Sequence, residues 1–261
     1  MLTLLSCGQG QNSSFDADYQ AVLNRAVALG YTLPSASQRI KQNTLVLALK
    51  SGGIWNKLDV LYIFANDGGF EFARLNWKNP NSNLATLINP LTFTANQGFT
   101  GNGSGSYINS NFNPAIGTNN YVLNSASRHI FVRTQSITAS TLDGVGSGNS
   151  NATVGVNTTL LRINQGATSL PTSADYSGSN VLKSIHRTSV SNVELFVGTT
   201  QTSRTFNSTT VINEPQLILA RGVNVTGSYG GSQVSMYSMG ASLVSENTAY
   251  VNAFNTYINS L

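Results

Sequence analysis

Two periodicities divide the chain. From Asp16 to Leu29 the residues Tyr19, Val22, Leu23, Ala26 and Val27 recur at helical spacing, with Asp16 placed to cap the start and Gly30 to close the end. A second helix is predicted after Pro34. There Ser35 and Gln38 form a capping-box pattern, Ile40, Thr44, Leu45 and Ala48 lie along one face, and Gly52-Gly53 stops it. From Ile54 onward the period shortens to two. Leu58 to Ala65 reads as a strand ending at the turn signal Asn66-Asp67-Gly68-Gly69. Further strands are predicted over Phe72–Trp77, Phe93–Thr94 leading to Gly98, Tyr107–Ile108, His129–Thr134, Thr153–Val156, Thr159–Asn164, Val181–Arg187, Val193–Thr199, Gln216–Arg221 and Gly231–Gly240. Short strands this numerous, parted by Gly, Asn, Ser or Pro, indicate an antiparallel sandwich or barrel. Helical spacing returns at the end, where Ser245 can cap a helix with Ala249, Tyr250, Ala253, Phe254, Tyr257 and Ile258 on one face. The expected partition is a leader over 1–14, a helical hairpin over 15–53 packed on the sandwich, and a mainly β, antiparallel sandwich with its terminal helix over 54–261.

Composition supports the β reading. Hydrophobic residues make up 40% of the 261-residue chain and charged residues only 9%, against about 25% charged in ordinary soluble proteins. Asn, Ser, Thr and Gly fill the gap, as expected for solvated strand faces and turns rather than long surface helices. The formal net charge is +4. The cations are scattered singly from Arg25 to Arg221, and without clustering they predict no nucleic-acid partner. One cysteine, Cys7, excludes an intrachain disulfide and a Cys-rich zinc site. The stretch Leu2 to Gly8 has the look of a lipoprotein signal's end, but lacks a positive start and a full apolar region. No run approaches the roughly 18 apolar residues of a membrane span, so no membrane partner is expected.

The acids are too few and too dispersed for glycoside hydrolysis, which needs two carboxylates on one strand face. Asp16 and Asp18 read as cap and dipole partner of the first helix, and Asp67 and Glu71 as solvated residues of a hairpin turn. His129 and His186 each follow or precede an arginine (Arg128, Arg187) that would depress an imidazolium, so both are expected to be structural or surface residues. No serine sits in a nucleophile elbow. The Gly-rich stretches at Gly98–Gly105 and Gly144–Gly148 precede no helix that could hold a phosphate, and read as loops. The expectation is a protein that is not an enzyme and needs no cofactor. If calcium is bound, Asn66, Asp67 and Asp143 are the places to look.

Two resemblances add to this. Ser191–Gly198 (SNVELFVG), Gln216–Arg221 (QLILAR) and Val234–Leu243 (VSMYSMGASL), running into the last helix, resemble the closing half of concanavalin A-like, laminin-G-type jelly rolls. The segments Phe15–Ser35 (FDADYQAVLNRAVALGYTLPS), Gly53–Asp67 (GIWNKLDVLYIFAND) and Leu75–Ala115 are similar to a module in virion proteins of tailed phages that infect Bacteroidota. The similarity covers most of the chain and is weakest from Asn119 to Ser179. It implies a structural protein of head fibre, decoration or tail, with a lectin-like fold displayed at the virion surface and other virion proteins as partners. A homo-oligomer follows by analogy with such assemblies. Met1, Leu2, Leu4 and Leu5 then become candidates for attachment to the particle. The superfold's glucanase carboxylate motif is missing, and legume-lectin metal residues are not recognisable. A bacterial cell-surface, carbohydrate-binding adhesin is the alternative. Sugars stack on aromatic faces beside polar groups. Trp77, Tyr107, Tyr121, Tyr176 and Tyr229, each next to Asn, Ser or Gly, are therefore the candidate platforms for a host-surface glycan, with Trp55 and Phe64 assigned to the core.

Overall fold

The computed structural model describes residues 15–139, 141–147, 152–153, 159–165, 170–172, 176–224 and 227–261. Met1, Leu2, Leu4, Leu5 and Cys7 lie outside them, as does most of the strand expected over Thr153–Val156. The helices begin where local chemistry starts them. Asp16 caps α1 (Ala17–Ala28) by accepting from the Asp18 N–H, and Ser35 caps α2 (Ala36–Ser51) by accepting from the Gln38 N–H. Gly30 at φ +70° closes the first helix, a conformation in which a side chain would be strained. A 3-10 turn at Trp55–Lys57 leads into β1 (Leu58–Ile63), and a one-turn helix, α3 (Phe70–Ala73), follows it.

The strands after α3 are β2 (Thr86–Ile88), β3 (Thr92–Thr94), β4 (Gly98–Thr100), β5 (Tyr107–Asn109), β6 (Ala126–Thr134), β7 (Thr141–Gly144), β8 (Ala152–Thr153), β9 (Thr159–Leu161) and β10 (Leu170–Thr172). They continue as β11 (Val181–Arg187), β12 (Asn192–Val197), β13 (Thr200–Thr205), β14 (Leu217–Ile218), β15 (Ala220–Arg221), β16 (Ser228–Tyr229) and β17 (Gln233–Gly240), before the closing helix α4 (Asn247–Asn259). Among the described residues they form two antiparallel sheets. An eight-stranded sheet runs β13-β12-β11-β6-β17-β4-β3, with β1 beside β4 on the same edge of β17; a seven-stranded sheet runs β10-β9-β8-β7-β14-β5-β2. β15 and β16 make a separate ribbon. The fold is a mainly β, antiparallel sandwich with a terminal helix, as expected.

Pleating explains the layers. Along β1, Val60, Tyr62 and Phe64 enter the core between the sheets with Ile108, Ile130, Leu142, Ile185 and Ile218. The alternate residues Leu61, Ile63 and Ala65 meet Tyr19, Val22, Leu45, Leu49, Tyr250 and Phe254 of the helices. The central strands β6, β11 and β17 of the eight-stranded sheet are thus covered on both faces, by helices on one side and by the seven-stranded sheet on the other.

Some expectations shift. Phe72–Trp77 is not a strand: α3 takes its start, and the Asn76 side chain then accepts from the backbone N–H groups of Leu61 and Lys78, holding a turn against β1. Consequently Asn66–Gly69 is no hairpin turn. Val27 and Ile40 are exposed, at 62% and 61%. The buried face of α2 is Gln38, Gln42, Leu45, Val46 and Leu49, because the Tyr19 and Tyr257 hydroxyls satisfy the two amides. The cap of α4 falls on Glu246, with Ser245 outside and Ala249 exposed. Gln216–Arg221 splits into β14 and β15 at Leu219, whose φ of +64° turns the chain out of the sheet.

Candidate functional site

Strand parity separates the five candidate platforms. Ile108 points into the core, so its neighbours Tyr107 and Asn109 point outward from the seven-stranded sheet, beside Ile88 and Thr86 of β2. Tyr107 is half-buried there. Tyr229 reaches the same place from the ribbon: the two rings lie 6.3 Å apart, tilted by 33°. The other three are corrections. Trp77 is fully buried between helices and sheet, with ring contacts to Tyr19 at 5.3 Å and Phe72 at 6.3 Å. Tyr121 is buried because Asp59 accepts from the N–H groups of Asn120 and Tyr121 (both 2.8 Å), drawing the ring inward to hydrogen-bond Asn164. Tyr176 is buried beneath the Lys183 ammonium, which donates to its carbonyl at 3.2 Å.

Glycines bring the two surviving rings together. A Cβ on Gly101 would stand 2.0 Å from the Gly230 carbonyl oxygen, and one on Gly230 would stand 2.0 Å from that of Thr141. Only residues without side chains allow this approach, which seats the ribbon on the sheet. The loop leading into Tyr107 winds round one amide: the Asn102 oxygen accepts from the N–H groups of Ser104, Gly105 and Ser106 at 2.9–3.0 Å. Asn89 donates to the Gly105 carbonyl at 2.8 Å. The Gly-rich stretches are loops only in part, since Gly98 opens β4 and Gly144 ends β7; Gly101 and Gly144 both lie under the ribbon. Nothing in a single stretch shows that convergence, which depends on the pairing of Leu219 with Leu142 and of Gly230 with Leu219.

The calcium candidates do not gather. Asn66 accepts from the Gly68 N–H and Asp67 from the Ser35 N–H, both at 2.9 Å, so this turn staples the start of α2. Asp143 lies between the sheets, accepting from the Tyr237 hydroxyl at 3.0 Å and facing Arg128 at 3.6 Å. Among the described residues no group of three or more His, Cys, Asp or Glu is placed to hold a metal ion. No helix among them is long and apolar enough to cross a membrane.

The histidines are structural, in the seam under α4. Their rings touch edge to face at 5.0 Å, and both are fully buried. Burial pushes His129 down to about 3 and His186 well below the usual imidazole range, the latter aided by His129. The arginine neighbours are not the cause: by strand alternation Arg128 and Arg187 face the other side of the sheet.

No protein-family model and no curated protein matches the sequence. Solved structures do. The chain is similar to the receptor-binding domain of a botulinum neurotoxin C/D mosaic serotype, at 12% identity and a TM-score of 0.50, over 77% of this chain and 52% of that one. It is also similar to domain 4 of an extracellular GH43 arabinanase from Geobacillus stearothermophilus, solved with arabinotriose (11% identity, TM-score 0.48, 75% and 98% covered). A third is a Trypanosoma rangeli sialidase mutant displaying trans-sialidase activity (13%, 0.48, 83% and 39%). The likeness is one of fold. The chain spans about half of the toxin domain it resembles. The tyrosine patch stands on this chain's own geometry.

Proposed function

We propose that this protein is a non-catalytic, lectin-like recognition domain of a tailed-phage virion, displayed at the particle surface, where it takes a host-surface glycan on the outer face of the seven-stranded sheet. The observation that carries the recognition reading is the Tyr107–Tyr229 pair: two half-buried rings, seated by glycines and bordered by Asn89 and Asn102 loops, beside the half-buried strand β2. Apolar sugar faces stack on such rings while neighbouring amides and backbone groups take the hydroxyls. The neurotoxin domain of like fold is itself a receptor-binding one. The virion assignment draws on the resemblance of Phe15–Ser35, Gly53–Asp67 and Leu75–Ala115 to phage structural modules.

Each ring is worth about 1 kcal/mol of stacking, so Tyr107→Ala combined with Tyr229→Ala should weaken glycan binding roughly 30-fold. A glycan array probed with the wild type and the double variant measures this, and wild-type affinity in the folded variant would refute the site. For the virion reading, deleting residues 1–14 should leave a folded domain that no longer joins particles. Normal incorporation of the truncated chain would remove Met1, Leu2, Leu4 and Leu5 from any role in attachment.

A further inference from the structure

On the helical side of the molecule α2 and α4 part to leave a groove of about 390 Å3. Leu45, Leu49 and Tyr257 knit the two helices to the core beneath it, while the small side chains of Thr44, Ala48, Ala249 and Ala253 leave its walls short. Ile40 stands at its rim, exposed, and Leu47 is exposed on the neighbouring row of α2. Among the described residues that line it Lys41 alone is charged, and its ammonium donates to the Ser260 carbonyl. Apolar side chains exposed singly need no explanation, but a groove bordered by them marks a docking place.

The chain enters α1 beside this groove. The Asp16 N–H donates to Asn43 Oδ1 at 2.7 Å, and Lys50 Nζ lies 2.6 Å from the Asp16 carboxylate. Asn43 and Leu47 are one turn apart on α2, and their row adjoins the row Ile40, Thr44, Ala48 that walls the groove. The residues before Phe15 therefore start one row of side chains away from it. In sequence they fall into two parts: Met1, Leu2, Leu4 and Leu5 are apolar, and Ser6–Ser14 is a polar, uncharged stretch with two glycines, Gly8 and Gly10. Fully extended, that stretch reaches about 30 Å. A helix is only about 10 Å across, so the apolar part can reach the groove with length to spare. We propose that Met1–Leu5 lies in the α2–α4 groove of its own chain, with its leucines against Ile40, Ala48, Ala249 and Ala253. Tethering favours this segment over that of a second copy: so short a connection sets an effective concentration of about a millimolar, far above a second copy's in a micromolar solution. In the free protein this covers the residues that the virion reading assigns to particle attachment, and it depends on neither that reading nor the glycan site.

Cys7 is the only cysteine in the chain and follows Leu5 closely, so a nitroxide spin label attached there, on the full chain, reports where Met1–Leu5 goes. In nuclear magnetic resonance spectra the amide signals of Thr44, Ala48, Ala249 and Ala253 should lose most of their intensity and regain it when the label is reduced. Those of Tyr107 and Tyr229, across the sandwich, should not change. The triple variant Leu2→Ser, Leu4→Ser, Leu5→Ser should abolish the loss. So should Ala249→Glu, placed on the exposed side of α4 where it charges the groove without entering the core. In a mixture of spin-labelled chain without isotope and isotope-enriched Cys7→Ser chain without label, the enriched groove signals should keep their full intensity. Full intensity at the groove in the labelled wild type would overturn the proposal, as would a loss that persists in either folded variant. A loss in the mixture would overturn it too, by giving the groove to a second copy.

Discussion

Lowering the pH from 7 to 5 should loosen the seam between α4 and the eight-stranded sheet. His186 there accepts a hydrogen bond at Nδ1 from the Leu243 N–H (3.1 Å), which puts its proton on Nε2, facing the Ser184 hydroxyl at 2.9 Å; Ser184 in turn donates to Asn247 Oδ1. A second proton on Nδ1 would break the Leu243 bond. His129 Nδ1 lies 3.2 Å from the Ser238 hydroxyl, itself 2.8 Å from that of Tyr250. The unfolded chain takes up protons near 6.5 at each histidine, while folded His129 does so only near 3. Stability from these groups is therefore complete above pH 6.5 and is lost as pH falls toward 3. At pH 5, one and a half pH units below the unfolded midpoint, His129 alone costs about 2 kcal/mol, and the depressed His186 adds to this. Against a total stability of about 5–15 kcal/mol that loss is easily measured. Urea denaturation at pH 7, 6 and 5 should show a falling midpoint with an unchanged slope, and staying at pH 5 or above keeps most carboxylates ionised in both states. The double variant His129→Gln, His186→Gln should start less stable at pH 7 and lose under about 1 kcal/mol over the same range. An equal loss in both proteins would refute the argument. So would a nuclear magnetic resonance titration placing either folded imidazole above pH 6.

Lys183 is fully buried on the inner face of β11, and burial pushes its ammonium down to about 7. Folded Lys183 holds fewer protons than the unfolded chain between about pH 7 and 10.5, so its penalty is complete below 7 and fades as pH rises; Lys183→Met should stabilise at pH 7, with the advantage in urea midpoint shrinking toward pH 10. Arg187 donates to the carbonyls of Ile163 and Phe206 and to the Gln165 side chain, so Arg187→Met strands buried acceptors and should cost about 3–5 kcal/mol by the same assay. Gly230→Ala forces a methyl onto the Thr141 carbonyl; it should cost at least about 2 kcal/mol and weaken glycan binding even though it touches neither tyrosine ring. A Gly230→Ala protein with unchanged melting and binding would show that the ribbon is not seated by this approach.

What was legible in the sequence was local. Asp16, Ser35 and Gly30 mark helix ends because capping acts within three residues, and β11 appears at its predicted bounds because a run such as Val181–Arg187 has no competing turn signal. The short strands β2, β7 and β16 went unseen because two to four residues give too little alternation to read. Gln38 and Gln42 of α2 were hidden because amides look like surface until the Tyr257 hydroxyl, more than two hundred residues away, is placed against them. Tyr107 and Tyr121 have similar flanks of Asn and Ser. They part company only through strand register and the grip of Asp59, neither of which is written beside the tyrosine.

The layering decides which strands stay dry on both faces. In an ordinary two-layer sandwich each sheet has one wet face, and strands alternate apolar and polar accordingly. Here helices occupy the outer face of the eight-stranded sheet, so β6, β11 and β17 are buried on both sides. Their polar residues must find partners inside: Ser184, Ser238 and both histidines under α4, Arg128, Lys183 and Arg187 between the sheets. Among the described residues, solvent reaches the sheets mainly at their edges: β13 and β3 of the eight-stranded sheet carry exposed residues and β2 of the seven-stranded one half-buried ones, whereas β7 and β14 are buried on both faces. Over β7, Gly101, Gly144 and Gly230 let the β15–β16 ribbon lie close, raising Tyr229 beside Tyr107. The helices complete the core on one side, and on the other the glycines cluster where the β15–β16 ribbon closes over the sheet.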